Sequence, residues 1–197
     1  EIMLIAQELT YYGLDIYKER ALPKLLNALA DVKGIEWIRL HYAYPSKFPL
    51  EILDVMRERS NICKYLDMPL QHASNSMLKA MKRNITREDM SVLIKEIRAR
   101  VPGICLRTTL IAGFPGETED DIEELKEFLL EHRFDRVGIF SYSHEENTTA
   151  HDLVDDVPAD VKAERAQSIM EVQQEISLEK NQEKVGQILK VIIDKKE

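Results

Sequence analysis

Cysteine, glycine, proline and excess basic charge are all scarce in this chain. Only two cysteines occur in 197 residues, Cys63 and Cys105, 42 positions apart, so a disulfide framework is excluded and no metal-type cysteine spacing exists. Both are expected to be core residues. Seven glycines and seven prolines are too few for a long flexible linker, a collagen-like repeat or a low-complexity tract. No apolar run approaches the roughly 20 residues that span a bilayer, and the opening Glu1-Ile2-Met3-Leu4 has neither a basic stretch nor a small-residue cleavage site. A cytoplasmic protein without a membrane partner is the expectation. Lysine and arginine number 27 against 35 aspartates and glutamates, a net charge of −8. Such a surface repels phosphate backbones, which counts against a nucleic-acid partner unless basic residues are locally concentrated. The five histidines, His41, His72, His132, His144 and His151, show no metal-ligand spacing.

What is present is ordinary globular material, 44% hydrophobic and 31% charged, long enough for one main domain with one core. Short apolar runs alternate with helical periodicity over five rounds, the pattern of βαβ units and a parallel sheet. Strands are expected at Ile2–Ala6, Glu36–Tyr42, Lys64–Met68, Cys105–Ala112 and Arg136–Ser141. Leu22, Leu25, Leu26, Leu29 and Val32 recur at helical spacing, with Gly34 as a cap. Ile52, Leu53, Val55 and Met56 mark a shorter helix. Thr86 with Asp89, and Thr118 with Asp121, each form a capping box before an apolar helical face. Pro158 opens a long polar helix to about Lys184 with a thin seam of Ile169, Met170 and Ile176, and Ile188–Ile193 reads as a further strand. Strand-like ends with no start methionine lead to the expectation of a piece cut from a longer protein.

In parallel α/β sheets and barrels, chemistry sits at the carboxyl ends of the strands. The first end carries Gln7, Glu8, Thr10, Tyr11 and Tyr12, which either hold the amine and hydroxyls of a ligand or form an ordinary loop. Arg39 and His41 sit among apolar neighbours in the second strand. A charge there requires an anionic partner, either an internal carboxylate or that of a ligand; Arg107 in the fourth strand raises the same question. The third end contributes Gln71, a neutral amide beside His72. The fourth runs into Gly113-Phe114-Pro115-Gly116-Glu117-Thr118, where two glycines permit close backbone approach against a flat ring. It lacks the Lys-Ser/Thr of a phosphate loop, so a nucleoside without phosphates is a better guest than ATP.

Taken together, Gln7-Glu8-Leu9-Thr10 with Tyr12-Gly13-Leu14-Asp15, Pro69-Leu70-Gln71-His72-Ala73-Ser74, Leu78-Lys79-Ala80-Met81 with Arg83, and Gly113–Thr118 resemble the radical S-adenosylmethionine methylthiotransferases in order and spacing over essentially the whole chain. Tyr12–Asp15 and Tyr142–Thr148 are similar to the branch that modifies an aspartate of a small-subunit ribosomal protein; the tRNA-modifying branch, the alternative, usually has Gly-Gln-Asn where Ala6-Gln7-Glu8 stands. Glu8 departs from that first branch's more usual aspartate while keeping a carboxylate.

The resemblance implies an α/β fold, a partial TIM-type (β/α) barrel of parallel strands truncated at both ends. Residues 1–157 would form the radical SAM core without its first strand and cluster loop, 158–184 a connecting helix, and 185–197 the start of a truncated TRAM domain. It implies S-adenosylmethionine as cofactor, with Gln7 and Glu8 at its methionine or ribose, Gln71 and Arg107 at the ribose or carboxylate, Gly113, Gly116 and Glu117 at the adenine, and Arg39 as a further candidate. It also implies two 4Fe–4S clusters in the whole protein, whose Cys-x-x-x-Cys-x-x-Cys ligands these 197 residues lack, so this stretch alone is expected to be inactive. The implied substrate is a small-subunit ribosomal protein, with tRNA disfavoured, and the expected state is a monomer. A non-catalytic α/β binding module is the alternative from another class.

Overall fold

The computed structural model describes residues 1–193. Its strands are β1 (Ile2–Leu4), β2 (Ile38–Leu40), β3 (Ile62–Asp67), β4 (Cys105–Ala112) and β5 (Arg136–Ser141). They pair, all parallel, in the order β1-β2-β3-β4-β5. Because the order never reverses and βαβ crossovers are right-handed, successive helices fall on one face, as in a barrel wall rather than a doubly wound sheet. The helices are α1 (Leu22–Ala30), α2 (Glu51–Glu58), α3 (Asn75–Ala80), α4 (Arg87–Arg100), α5 (Glu119–His132) and α6 (Ala159–Gln182).

Strand β4 displays the logic of the sheet. Leu106, Thr108, Leu110 and Ala112 are buried, whereas Cys105, Arg107, Thr109 and Ile111 alternate with them on the other face and are half-buried. Leu106, Leu110 and Ala112 meet Leu26, Met56, Ile97, Leu125 and Phe128 in one core, where each large apolar side chain stabilises the fold by roughly 1.5–3 kcal/mol. Both capping boxes form: the Thr86 and Thr118 side chains accept from the backbone N–H of Asp89 and Asp121, and their own backbone N–H groups donate to those carboxylates. Helix α6 starts after Pro158 and buries Ile169, Gln173 and Ile176 against the preceding elements; Gln173 Nε2 donates to the Phe134 carbonyl at 3.0 Å.

Several boundaries differ from the sequence reading. Strand β2 is shorter than 36–42 because its register against β3 is interrupted between Ile38 and Leu40 and the chain turns off at Tyr42, whose φ is +60°. Gly34 lies in the turn beyond α1, whose cap is Asp31. Helix α3 was not anticipated. Residues 188–193 form no strand and are exposed; an apolar run becomes a strand only where a neighbour accepts its backbone bonds. Residues 194–197 of the expected terminal segment lie outside the described residues.

Candidate functional site

All five strand ends deliver side chains to one place. Beyond β1, Glu8 Oε1 accepts from Thr10 N at 2.9 Å and Thr10 Oγ1 at 2.6 Å, capping a single 3₁₀ turn, and reaches Tyr44 N beyond β2 at 3.4 Å. Beyond β3, Gln71 has φ +75°. A non-glycine residue in that region costs about 1–3 kcal/mol and persists only where its surroundings enforce it. Here two backbone bonds to β4 do so, Gln71 N to Thr109 O at 2.9 Å and Ile111 N to Gln71 O at 2.8 Å.

On β4, Arg107 is in register with Asp67 of β3, and its Nη1 donates to both carboxylate oxygens at 2.8 Å. The Asp67 side chain is 1% exposed and that of Arg107 34%. The internal carboxylate demanded by a charge on a buried strand is therefore Asp67, which also lies 3.6 Å from His41 Nδ1.

Gln7, Glu8, Tyr42, Tyr44, Pro69, Gln71, Arg83, Arg107, Thr109 and Phe140 enclose a cleft of about 270 Å³. A second hollow of about 330 Å³ adjoins it through Gln71, Arg83 and Phe140 and adds Met81, Ile111, Phe114 and Tyr142. The first is evenly mixed and holds the charged groups, the other is largely apolar, and Phe114 and Tyr142 stack edge to face at 5.1 Å. Together they suit a ligand with a charged end and a flat apolar end, within the ~300–1,000 Å³ of small-molecule sites.

The Gly113–Glu117 turn meets the second hollow at Phe114 and is otherwise occupied internally. Glu117, fully buried, accepts from Gly113 N at 2.7 Å and from Arg165 Nη1 of α6 at 3.1 Å, while its other oxygen lies 3.4 Å from His72 Nε2. The Ala73 and Ser74 amides both donate to His72 Nδ1 at 2.9 Å, so Nδ1 is the accepting nitrogen and Nε2 is buried beside Glu117 without a hydrogen bond. Gly116 N donates to Asp156. A Cβ on Gly113 would stand 2.2 Å from Lys162 Cγ at a φ of +79°, which is why glycine is required there. Asp121 ties α3 to α5 nearby: burial opposes its ionisation, yet hydrogen bonds from Ser74, Ser76 and Thr118 outweigh that and hold its carboxyl well below the usual carboxylate range.

Gln7, Glu8, Gln71 and Arg107 thus line one cleft. Gly113, Gly116 and Glu117 line neither hollow; their turn reaches the second one only through Phe114. Arg39 stands apart, donating to Glu1 at 2.5 Å with its guanidinium 4.7 Å from the centre of the Tyr65 ring; its partner is internal. Arg83 and Asp67 were missed. The signal for Arg83 was a cation at the end of a short motif, and for Asp67 an acid at a strand end opposite Arg107.

The model of the Radical SAM superfamily matches residues 1–129. A likeness to the solved coproporphyrinogen III oxidase HemN of Escherichia coli, a radical SAM enzyme, covers 78% of this chain and 36% of that one at a TM-score of 0.62 and 21% identity. The methyltransferase TsrM of Kitasatospora setae covers 71% and 27% at 0.53 and 19%. With that match and this parallel barrel wall, the chain belongs to the radical SAM superfamily. Among curated proteins, those named ribosomal protein uS12 methylthiotransferase RimO are 59% identical in Flavobacterium psychrophilum and 60% in Flavobacterium johnsoniae, over all 197 residues. The Bacteroides thetaiotaomicron protein of the same name is 54% identical over 99% of this chain. The chain spans less than half of these relatives, 46%, 45% and 45% respectively.

The superfamily works with S-adenosylmethionine and a 4Fe–4S cluster. The two joined hollows fit the first. The residues of this chain do not fit the second: Cys63 and Cys105 lie on β3 and β4, on the strands rather than at the strand-end cleft, and burial pushes both thiols up, away from the thiolate a metal needs. Among the described residues, no group of three His, Cys, Asp or Glu side chains could hold a metal ion, and no helix is long and apolar enough to cross a membrane.

Proposed function

We propose that this chain is the S-adenosylmethionine-binding part of a methylthiotransferase that acts on ribosomal protein uS12, with cluster ligands supplied by sequence outside these 197 residues. The observation that carries the reading is 54–60% identity across essentially the full chain to proteins of that name. When bound, S-adenosylmethionine supplies a sulfonium whose reductive cleavage starts radical chemistry. Glu8 and Gln7 receive the amine of its methionine part, Gln71 the ribose hydroxyls, and Arg107, held by Asp67, faces the ribose and carboxylate region. The apolar hollow of Ile111, Phe114 and Phe140 takes the adenine, with the Gly113–Glu117 turn fixing Phe114.

A net charge of −8 supports a small basic protein as substrate over tRNA, because long-range attraction favours opposite charge. The reading takes the protein to be a cytoplasmic monomer, in keeping with two unbridged cysteines, and takes residues 185–197 as the start of a TRAM domain. The test offers the anaerobically reconstituted full-length protein isolated uS12 and bulk tRNA separately and locates the added methylthio mass. It is expected on an aspartate of uS12. Transfer to tRNA alone would overturn the reading.

A further inference from the structure

The sheet ends at β5, and no strand among the described residues pairs with its far side. The ladder with β4 fixes which backbone groups point there, because alternate residues of a strand bond to opposite neighbours. On β4 the odd-numbered residues serve β3: Arg107 O accepts from Met68 N and Thr109 O from Gln71 N, both at 2.9 Å. The even-numbered ones serve β5, where Leu106 O accepts from Asp135 N at 3.0 Å and Ala112 O from Tyr142 N at 2.8 Å. Thr108 and Leu110 are in register with Val137 and Ile139, so they bond to the flanking Arg136, Gly138 and Phe140. The N–H and C=O groups of Val137, Ile139 and Ser141 therefore face outwards, and among the described residues nothing pairs with them. Edge strands are normally blunted by brevity, proline, bulges or charge. The opposite edge, β1, has only three residues. Strand β5 has six, in unbroken register with β4, without proline and with one charge, Arg136, at its start.

Two features say what fits this edge. Phe140 is 58% exposed and lines both hollows, so a strand added about 4.8 Å away sets every second side chain beside Phe140, over the cleft. Residues 137–161 carry six acids and no lysine or arginine. Asp155 is neutralised by Lys162, whereas Glu145, Glu146 and Asp152 are exposed and have no cationic partner among the described residues. We propose that the free edge of β5 docks the substrate polypeptide as an added strand: an extended segment with basic flanks, its backbone paired with Val137, Ile139 and Ser141 and its acceptor side chain pointing past Phe140 into the cleft. The identity of that segment rests on the proposed function. Main-chain bonds give affinity in such strand addition, and the acidic loop after β5 selects a basic partner by charge.

Calorimetry measures the affinity of the reconstituted full-length protein for a synthetic uS12 segment spanning the acceptor aspartate, unmodified and N-methylated at one backbone amide at a time. An added strand turns every second amide toward β5, so methylation is expected to weaken binding about 10-fold at alternate positions and to leave those between unchanged. Val137→Pro removes one outward N–H and spares the ladder to β4; it is expected to weaken the unmodified segment by a similar factor with S-adenosylmethionine affinity unchanged. Should that variant unfold, the methylation period still decides. Glu146→Gln with Asp152→Asn is expected to weaken binding and reduce its salt dependence. Binding without a two-residue period, or a folded Val137→Pro protein that binds the segment undiminished, overturns the proposal. So does failure to bind the unmodified segment by a protein that modifies whole uS12. Protection of the Val137 and Ile139 amides from hydrogen exchange before any segment is added also overturns it, assigning the edge to a second copy if the protection rises with protein concentration and to the same chain if it does not. All of these results leave the proposed function standing, which falls instead if whole uS12 gains no methylthio mass.

Discussion

Replacing Glu117 tests whether the turn after β4 is held by the buried contacts of Glu117 with the Gly113 amide and Arg165. In Glu117→Ala the Gly113 amide loses its acceptor, and Arg165, with 10% of its side chain exposed, loses its buried carboxylate partner and keeps Glu119 and the backbone carbonyl of residue 117. Breaking a buried pair costs about 3–5 kcal/mol, a large part of the ~5–15 kcal/mol that holds a domain together. Glu117→Gln keeps the shape and a carbonyl for the Gly113 amide but removes the charge that faces Arg165, so its loss is smaller than that of the alanine variant. Urea unfolding followed by far-ultraviolet circular dichroism, extrapolated linearly to water, should rank the natural protein above Gln and Gln above Ala. Loss of less than about 1 kcal/mol in Glu117→Ala would refute the reasoning, since a side chain enclosed on all sides cannot be replaced by solvent.

Three further outcomes follow from individual contacts. Gly113→Ala meets Lys162 at a φ of +79° and should cost about 1–3 kcal/mol in the same assay. Gln71→Gly relieves backbone strain at φ +75° at the entropic cost of glycine, so stability should change by less than about 1 kcal/mol while calorimetry records weaker S-adenosylmethionine binding. His132 packs on Phe128 at 4.3 Å and meets Ser91 Oγ at 2.8 Å; burial pushes its pKa down, against Glu131 and with help from Arg98, Lys95 and Arg87. Its folded pKa thus lies below its unfolded value of about 6.5, so its contribution is complete above that pH and is lost as pH falls towards the folded value. Urea midpoints between neutral pH and pH 5 should decline, and decline less in His132→Gln.

Local signals in the chain were strong where one element decides its own shape. Both capping boxes, β4 and β5 and the start of α6 at Pro158 were legible because side-chain spacing and backbone caps suffice there. Helix α3 has six residues, too few for periodicity to register, and Ile188–Ile193 has strand composition but no strand neighbour. For the site, Gln7, Glu8, Gln71 and Arg107 could be nominated because strand ends are where such folds do chemistry. Arg39 and Arg107 looked equivalent in sequence. Only tertiary register separates them, giving Arg39 to Glu1 and Tyr65 outside the cleft and Arg107 to Asp67 on its wall. Glu117 read as a ligand contact, yet α6 and His72 reach it from 48 and 45 positions away in the chain, a convergence no local pattern encodes.

The central claim, that the strand-end cleft is a cofactor site, is tested most directly by a co-crystal structure with S-adenosylmethionine. The account predicts the methionine part between Glu8, Gln71 and Arg107 and the adenine against Phe114 and Phe140. Cofactor bound elsewhere, such as the basic hollow of Arg20, Lys24 and Lys47 beside α2, with the strand-end cleft unchanged, would contradict it.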